Sequence, residues 1–365
     1  MRFFGNAISK DVEENIVLSN NTHKMDIKSC NMDQLEHILL GMNEPKYRAK
    51  QIFGWLHVKK VRTFGEMTNL SKKLISHLNE KYYIPSINIK KKLVSAQDNT
   101  IKYLYELEDG ATIEAVYMQY HHGNSLCIST QVGCKMGCKF CASTIGGLVR
   151  NLSPSEMLLE IETAQQDTGT KISNVVLMGI GEPFDNFQNV VRFLQLLSHP
   201  DGHALSLRGV TVSTCGLVNK IDELAKYNFS LTLAVSLHAA NDEIRGKTMP
   251  ISKKYSIAEI LDACHKYSTK TGRRITYEYA LIKNQNDSLN SAHELGKLLK
   301  GSLCHVNLIQ VNPITGGQYT KSSTKIAESF VKILAHYGVA ATIRRTLGND
   351  ISAACGQLRR ETTNI

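Results

Sequence analysis

The apolar positions of this chain change their period twice. From residue 32 to about residue 81 they recur at helical spacing. Leu35, Ile38, Leu39 and Met42 share one face, followed by Ile52, Phe53, Trp55 and Leu56, and then by Leu74, Ile75 and Leu78. Asn43, Glu44 and Pro45 break the first two helices apart. Residues 101–107 and 112–118 alternate instead and bracket Glu108, Asp109 and Gly110, a hairpin signal because Asp-Gly suits tight turns between twisted strands. From about Ser125 onward, β-rich runs alternate with amphipathic ones. Strands are predicted over 126–130, 174–178, 210–214, 231–236, 275–282, 306–311 and 340–344, and helices over 155–168, 189–197, 257–269 and 291–299. Repeated β-then-α order predicts an α/β fold with parallel strands joined by helices.

Periodicity does not separate a barrel from an open sheet, but the polar motifs do. They fall at the C-terminal ends of strands, where barrel enzymes place their active sites. No G-x-G-x-x-G follows the first strand, which argues against a nucleotide-binding doubly wound sheet. The expected organisation is a flexible N-terminus over 1–25, a small basic helical domain over 26–100, a β-hairpin connector over 101–124, a barrel over 125–348, and a C-terminal segment over 349–365.

The chain's 365 residues suffice for one large domain and a smaller one. No run approaches the roughly 18 apolar residues that span a bilayer, and residues 1–24 lack the pattern of a secretory signal. Nine cysteines, an odd number, point to metal or redox chemistry in a reducing cytosol rather than to a disulfide framework. A soluble, cytoplasmic protein is expected. The net charge of +10, from 43 Lys and Arg against 33 Asp and Glu, favours a polyanionic partner. The basic residues bunch at Lys59, Lys60 and Arg62, at Lys72 and Lys73, at Lys90 to Lys92, at Arg344 and Arg345, and at Arg359 and Arg360. Bunching raises the case for nucleic acid over plain solubility.

Cys134, Cys138 and Cys141 form C-x-x-x-C-x-x-C. Three thiolates on one short loop can bind three irons of a [4Fe–4S] cluster and leave the fourth iron open, whereas a fully ligated cluster normally takes four cysteines. The competing reading is a zinc knuckle with His121, His122 or Cys127 as fourth ligand. The spacing is identified as the radical S-adenosylmethionine (SAM) signature, in which SAM occupies the open iron. Downstream strand ends carry Gly179, Gly181, Glu182 and Pro183, then Ser213 to Gly216, then Ser236, Leu237 and His238, then Asn312 and Pro313. Glu182 could hold an ammonium group, and the hydroxyls a ribose or carboxylate. Each of these alone is more often a plain turn.

Taken together, these stretches resemble the radical SAM RNA methyltransferases of the RlmN/Cfr group over nearly the whole length. The carrying segments are 127–134, 141–152, 179–183, 235–238, 272–280 and 353–358. Gly-Glu-Pro is typical of the RlmN branch, which methylates carbon 2 of adenine. The Cfr branch methylates carbon 8, confers antibiotic resistance and typically carries Gly-Glu-Ala there, so Pro183 favours RlmN.

The resemblance implies a partial (β/α) barrel with Cys134, Cys138 and Cys141 on the cluster. It puts Gly181, Glu182, Ser213, Ser236, Leu237, His238 and Asn312 around SAM. Cys355 would carry a methyl group, Cys127 would be its disulfide partner, and Glu114 the proton acceptor. One SAM would methylate Cys355, and a second would be cleaved to a 5′-deoxyadenosyl radical that activates this methyl for addition to the ring. An adenosine of 23S rRNA at the peptidyl-transferase centre and, in some members, adenosine 37 of certain tRNAs are the implied targets, with an electron donor such as flavodoxin or ferredoxin.

Read from the residues alone, Cys127 is a buried strand cysteine and Glu114 a solvated glutamate. Phe184, Cys215 and Ser352 depart from the commoner Leu, Ser and Asp. A carbon-8 methyltransferase, or a non-catalytic RNA-binding metal protein, are the alternative readings.

Overall fold

Residues 18–19, 22–121, 123–312, 314 and 318–359 are described by the computed structural model of the chain, so the expectations for residues 1–17, His122, Pro313 and Arg360 fall outside it. Strands β1 (Leu18–Ser19) and β2 (Thr22–Asp26) pair antiparallel, and β2 pairs parallel with β3 (Tyr82–Tyr83). Between β2 and β3 run α1 (Met32–Leu40), α2 (Tyr47–Gly54) and α3 (Lys72–Lys81). Asn31 starts α1 with a reciprocal cap to Gln34. The apolar faces read from the sequence bury Leu35, Leu39, Ile52, Phe53, Leu56, Leu74 and Leu78 in a core continuous with that of the rest of the molecule.

After the helical pattern ends, within the span of 26–100 assigned to the helical domain, the chain forms β4 (Ile87–Val94). It pairs antiparallel with β5 (Ile101–Leu107), which pairs with β6 (Thr112–Tyr120). A register shift between Ile89 and Lys91 disrupts the alternation of β4, which is why a period of two was not visible there. The Lys90–Lys92 run is therefore a mostly exposed strand, and Lys90 and Lys92 pair with Glu106 and Asp167.

β6 pairs antiparallel with β7 (Gly123–Cys127), the first strand of the barrel. The cluster loop follows, embraced by the hairpin of β8 (Gln131–Gly133) and β9 (Leu148–Asn151). The order is then α4 (Pro154–Thr168), β10 (Ile172–Leu177), α5 (Phe187–Ser198), β11 (Val210–Thr214), α6 (Val218–Leu224), β12 (Thr232–Ser236), α7 (Asp242–Thr248) and α8 (Ile257–Thr271). It closes with β13 (Ile275–Leu281), α9 (Leu289–Leu299), β14 (Cys304–Gln310), α10 (Thr324–His336) and β15 (Ala341–Ile343). Ser153 and Ser256 start α4 and α8 with capping boxes to Glu156 and Glu259. Strands β7 and β10 to β15 lie side by side in chain order, each pair parallel, so the ten-stranded sheet is a (β/α) barrel core extended by the antiparallel strands β6, β5 and β4. Its end strands, β15 and β4, do not pair, so the barrel is partial. No helix among the described residues is long and apolar enough to cross a membrane.

The helical unit is joined to the barrel by a buried ion pair, Lys28 Nζ to Glu162 Oε2 at 2.9 Å. Two residues before Glu162 on α4, Glu160 is fully buried. Its Oε2 accepts from the Ser129 amide at 3.1 Å and its Oε1 has no partner. Burial pushes this carboxyl well above its ordinary 4.5. A raised native value means that Glu160 contributes stability below pH 4.5 and loses it as pH rises toward the native value. Glu160→Gln is thus expected to gain about 1–3 kcal/mol in urea unfolding at pH 8 and little at pH 4. An equal gain at both values would assign the effect to packing.

Candidate active site

The strand ends converge on one cavity of about 140 Å³ at the C-terminal mouth of the barrel. Cys134, Cys138 and Cys141 line it on one side, and Glu182, Ser213 and Ser236 on another. Gly181, His238, Asn312 and Cys355 also reach it. Leu237 does not. It is fully buried, and its carbonyl is held at 3.1 Å by Arg245 Nε.

All three cluster-loop cysteines are free thiols. Burial raises each of them, Cys134 to about 12, and the like charges of Glu182 and the neighbouring thiols add to this for Cys134 and Cys138. Such thiols ionise only when a cationic centre compensates, and iron would do so. Among the described residues, no group of three or more His, Cys, Asp or Glu side chains is drawn together as a single metal ion requires. Cys127, a proposed fourth zinc ligand, lies in a neighbouring pocket instead. The donor set fits an iron–sulfur cluster, each thiolate taking its own iron.

Glu182 is buried. Its Oε1 accepts from the Phe184 amide at 3.0 Å and its Oε2 from the Cys215 amide at 2.7 Å. Burial raises its pKa, and no Lys, Arg or His among the described residues forms a salt bridge with it. A carboxylate so placed is suited to an ammonium ligand, which fits the amino group of SAM. Because the Cys215 backbone makes the bond, Cys in place of the commoner Ser leaves it intact.

Gly179 and Gly181 serve the protein more than the ligand. At Gly181, with φ +112°, a Cβ would come within 2.7 Å of Gln131 Cβ and 2.8 Å of Thr130 Oγ1. His238 Nδ1 accepts from the Ala280 amide at 2.9 Å, so the neutral ring carries its proton on Nε2. Burial lowers its pKa to about 3, with Arg245 adding to the effect, so it stays neutral.

Arg245 is the residue that sequence reasoning missed here. On α7 it reads as an ordinary helical charge, yet it is fully buried. Besides Leu237, it donates from Nη2 to the carbonyls of Cys215 at 2.7 Å and Ser236 at 3.3 Å, stitching the ends of β11 and β12. Arg245→Met would leave these carbonyls unpaired. SAM affinity is expected to fall roughly tenfold, about 1.4 kcal/mol, in titration calorimetry of a protein whose circular dichroism is unchanged.

The C-terminal segment crosses the barrel mouth as a strap. Asp350 accepts from Ser95 Oγ at 2.7 Å and from the Ala96 amide at 3.0 Å. Further on, the Gly356 carbonyl accepts from the Ala142 amide at 2.8 Å and the Leu358 carbonyl from Ser143 Oγ at 2.7 Å. Asn312 Nδ2 donates to the Cys355 carbonyl at 3.2 Å. Gly348, at φ +61°, starts the strap where a Cβ would meet Ala353 Cβ at 2.7 Å.

Cys355 thereby lines the large cavity and a smaller adjoining pocket that contains Cys127 and Arg344. Neither cysteine is in a disulfide. Burial raises the Cys127 thiol to about 12, whereas Cys355 is exposed, and the Arg344 guanidinium pulls both thiols down. Arg344, read from sequence as part of a basic bunch, thus faces the thiols; its Nη1 also reaches Met178 Sδ at 3.4 Å.

Glu114 lines a third cavity on the far side of the strap, with Lys91, Lys102 and Arg359. It is not the solvated glutamate that its own neighbours suggest, for it is 7% exposed. Its Oε1 lies 2.7 Å from Lys102 Nζ and its Oε2 accepts from the Arg359 amide at 2.8 Å. Burial raises its pKa against the pull of Lys102.

Residues 128–295 match the family described as Radical SAM superfamily, and residues 25–84 the Ribosomal RNA large subunit methyltransferase N-terminal domain. Two relatives named "Probable dual-specificity RNA methyltransferase RlmN" align over almost the full length. The protein from Lachnoclostridium phytofermentans is 51% identical over 94% of this chain and 96% of its own. That from Alkaliphilus oremlandii is 54% identical over 93% and 98%. The crystal structure of a radical SAM methyltransferase from Sphaerobacter thermophilus superposes with a TM-score of 0.86 at 40% identity, covering 92% of this chain and 99% of that one.

Proposed function

Because the chain belongs to the RlmN family of radical SAM RNA methyltransferases, we infer that it methylates carbon 2 of an adenosine in 23S rRNA and of adenosine 37 in tRNAs. That carbon lies between two ring nitrogens and is electron-poor, so it does not attack the electrophilic methyl of SAM. The cluster and SAM, when bound, supply the methyl group, an electron and a carbon-centred radical.

The chain's residues supply the rest. Cys134, Cys138 and Cys141 hold the cluster. Glu182 takes the ammonium group of SAM, Ser213, Ser236 and Asn312 offer polar contacts, and the peptide at Gly181 packs alongside. Neutral His238 presents an N–H donor. Leu237 acts through its backbone, which Arg245 fixes. The Cys355 thiol accepts the methyl group as a nucleophile. Glu114 takes the proton released from the ring carbon, and Cys127 closes a disulfide with Cys355 to free the product. The strap and the buried cavity walls exclude water from these steps.

One observation carries this reading: Cys355 is common to the cavity lined by the cluster-loop thiols and to the pocket holding Cys127. A thiol that meets a cofactor on one side and a second thiol on the other suits a residue that is alkylated and then released by exchange. The target adenine must be unstacked to enter. Lys59, Lys60 and Arg62, which line a separate basic cleft beside the barrel, would grip the surrounding RNA by shape and phosphate. A small electron carrier such as flavodoxin or ferredoxin would reduce the cluster.

The test is mass spectrometry of 23S rRNA fragments and tRNA after anaerobic reaction with the reconstituted protein, SAM and a reductant. 2-Methyladenosine in both RNAs is the expected product. 8-Methyladenosine would move the chain to the Cfr chemistry, and no methylated base in either RNA would overturn the assignment.

A further inference from the structure

Two hydrogen bonds straddle Cys355 and meet at one carboxyl group. Lys102 Nζ lies 2.7 Å from Glu114 Oε1 and donates to the Ser352 carbonyl at 3.1 Å, three residues before Cys355. The Arg359 amide, four residues after it, donates to Glu114 Oε2 at 2.8 Å. Lys102 is 9% exposed, so the pair is little screened by water. Ser352 sits at φ +51°, a left-handed conformation that a serine keeps only where its surroundings hold it.

We propose that Lys102 is a positioning residue and that, with Glu114, it forms a latch on the Cys355 strap, closed when Glu114 is a carboxylate and loosened when Glu114 is protonated. The ion pair exists only in the first state. A neutral carboxyl leaves the buried ammonium with the Ser352 carbonyl alone and weakens the acceptor of the Arg359 amide. The other charged groups around Glu114 are Lys91 on β4, Asp350 and Arg359 on the strap, and Glu160 on α4, whose partner Ser129 also donates to the Glu114 carbonyl at 2.7 Å. Asp350 is already bonded to Ser95 and Ala96. Burial disfavours the charged form of Glu160.

The consequence rests on the reading of Glu114 as proton acceptor. A proton taken by its carboxylate would loosen the strap at the stage when Cys355 must turn to Cys127. The structural part, the latch itself, is independent of where the proton comes from.

Hydrogen exchange of the full-length protein, read by mass spectrometry over residues 349–359 at pH 7.5, tests it. Lys102→Met and Glu114→Gln are each expected to lower strap protection about tenfold, leaving β10 to β12 unchanged. The double variant should fall no further than either single one, and Lys102→Arg should retain protection. Unchanged protection in Lys102→Met, or additive losses in the double variant, would overturn the latch. Loss of protection throughout the barrel in Lys102→Met, together with failure of Lys102→Arg to restore it, would overturn it as well.

A second readout separates the latch from the reading beneath it. Removing the cation raises the Glu114 pKa, so the acid limb of the methylation pH profile should move upward by about one unit in Lys102→Met. If strap protection falls but the limb stays, the latch stands and Glu114 is not the proton acceptor.

Discussion

Replacing Cys355 with alanine is expected to lower RNA methylation by roughly 10³-fold or more, because the reaction would lose the atom proposed to carry the methyl group. The anchors that hold the strap to the rest of the fold do not use that sulfur. Asn312 bonds the Cys355 backbone carbonyl, and the strap is pinned through Asp350, Gly356 and Leu358. SAM binding should therefore be retained within a few-fold in equilibrium dialysis, and the cluster's absorbance should be unchanged. A variant that still methylates RNA would remove Cys355 from the pathway. A variant that loses SAM binding in parallel would make the residue part of the cavity wall.

The second large effect is expected at Cys127. In Cys127→Ala the methyl carrier can still react, but the thiol that displaces it is gone. The base should remain covalently joined to Cys355, and product formation should stop at or below one equivalent of enzyme. Denaturing gels should show RNA retained on the protein, and peptide mapping should locate it at Cys355. Cys127 is buried at the end of β7 among Val116, Met118 and Leu358, so the substitution removes one small apolar side chain, and the fold should tolerate the loss at about 1 kcal/mol. Sustained turnover without an adduct would show that another group releases the product.

Much of the architecture could be read in advance because the physics that made it is local. Parallel strands buried on both faces are short apolar runs, and the helices between them carry one apolar stripe, so the strand over Val210–Thr214 and its neighbours were visible in the pattern. The strand-end motifs were legible only as a set, since each alone is more often a plain turn.

What stayed hidden depends on contacts far away in the chain. Glu114 lies on β6, a strand covered on both sides. Ile113, Ala115 and Tyr117 enter the main core, while Val116 and Met118 pack with Cys127, Ile180 and the strap. With both faces apolar, alternation carries no signal about which one looks at the site. Arg245 and Arg344 have the composition of surface charges, and only the tertiary fold shows that one holds four carbonyls and the other faces two thiols. Strand β4 was missed because its bulge breaks the alternation that would have revealed it.

The strap also has a bearing on how the molecule is made. Its bonds to Ser95, Lys102 and Glu114 join residues 245 to 255 positions apart. Contacts that close loops of this length form late in folding, after the local βα units have condensed. The thiol proposed to be alkylated thus lies on a segment expected to dock after the barrel has formed. A half-assembled chain can expose the cluster-loop cysteines, but it has no nucleophile in register with them. On the proposed role of Cys355, that order of assembly would keep methyl transfer away from molecules that could not finish the reaction.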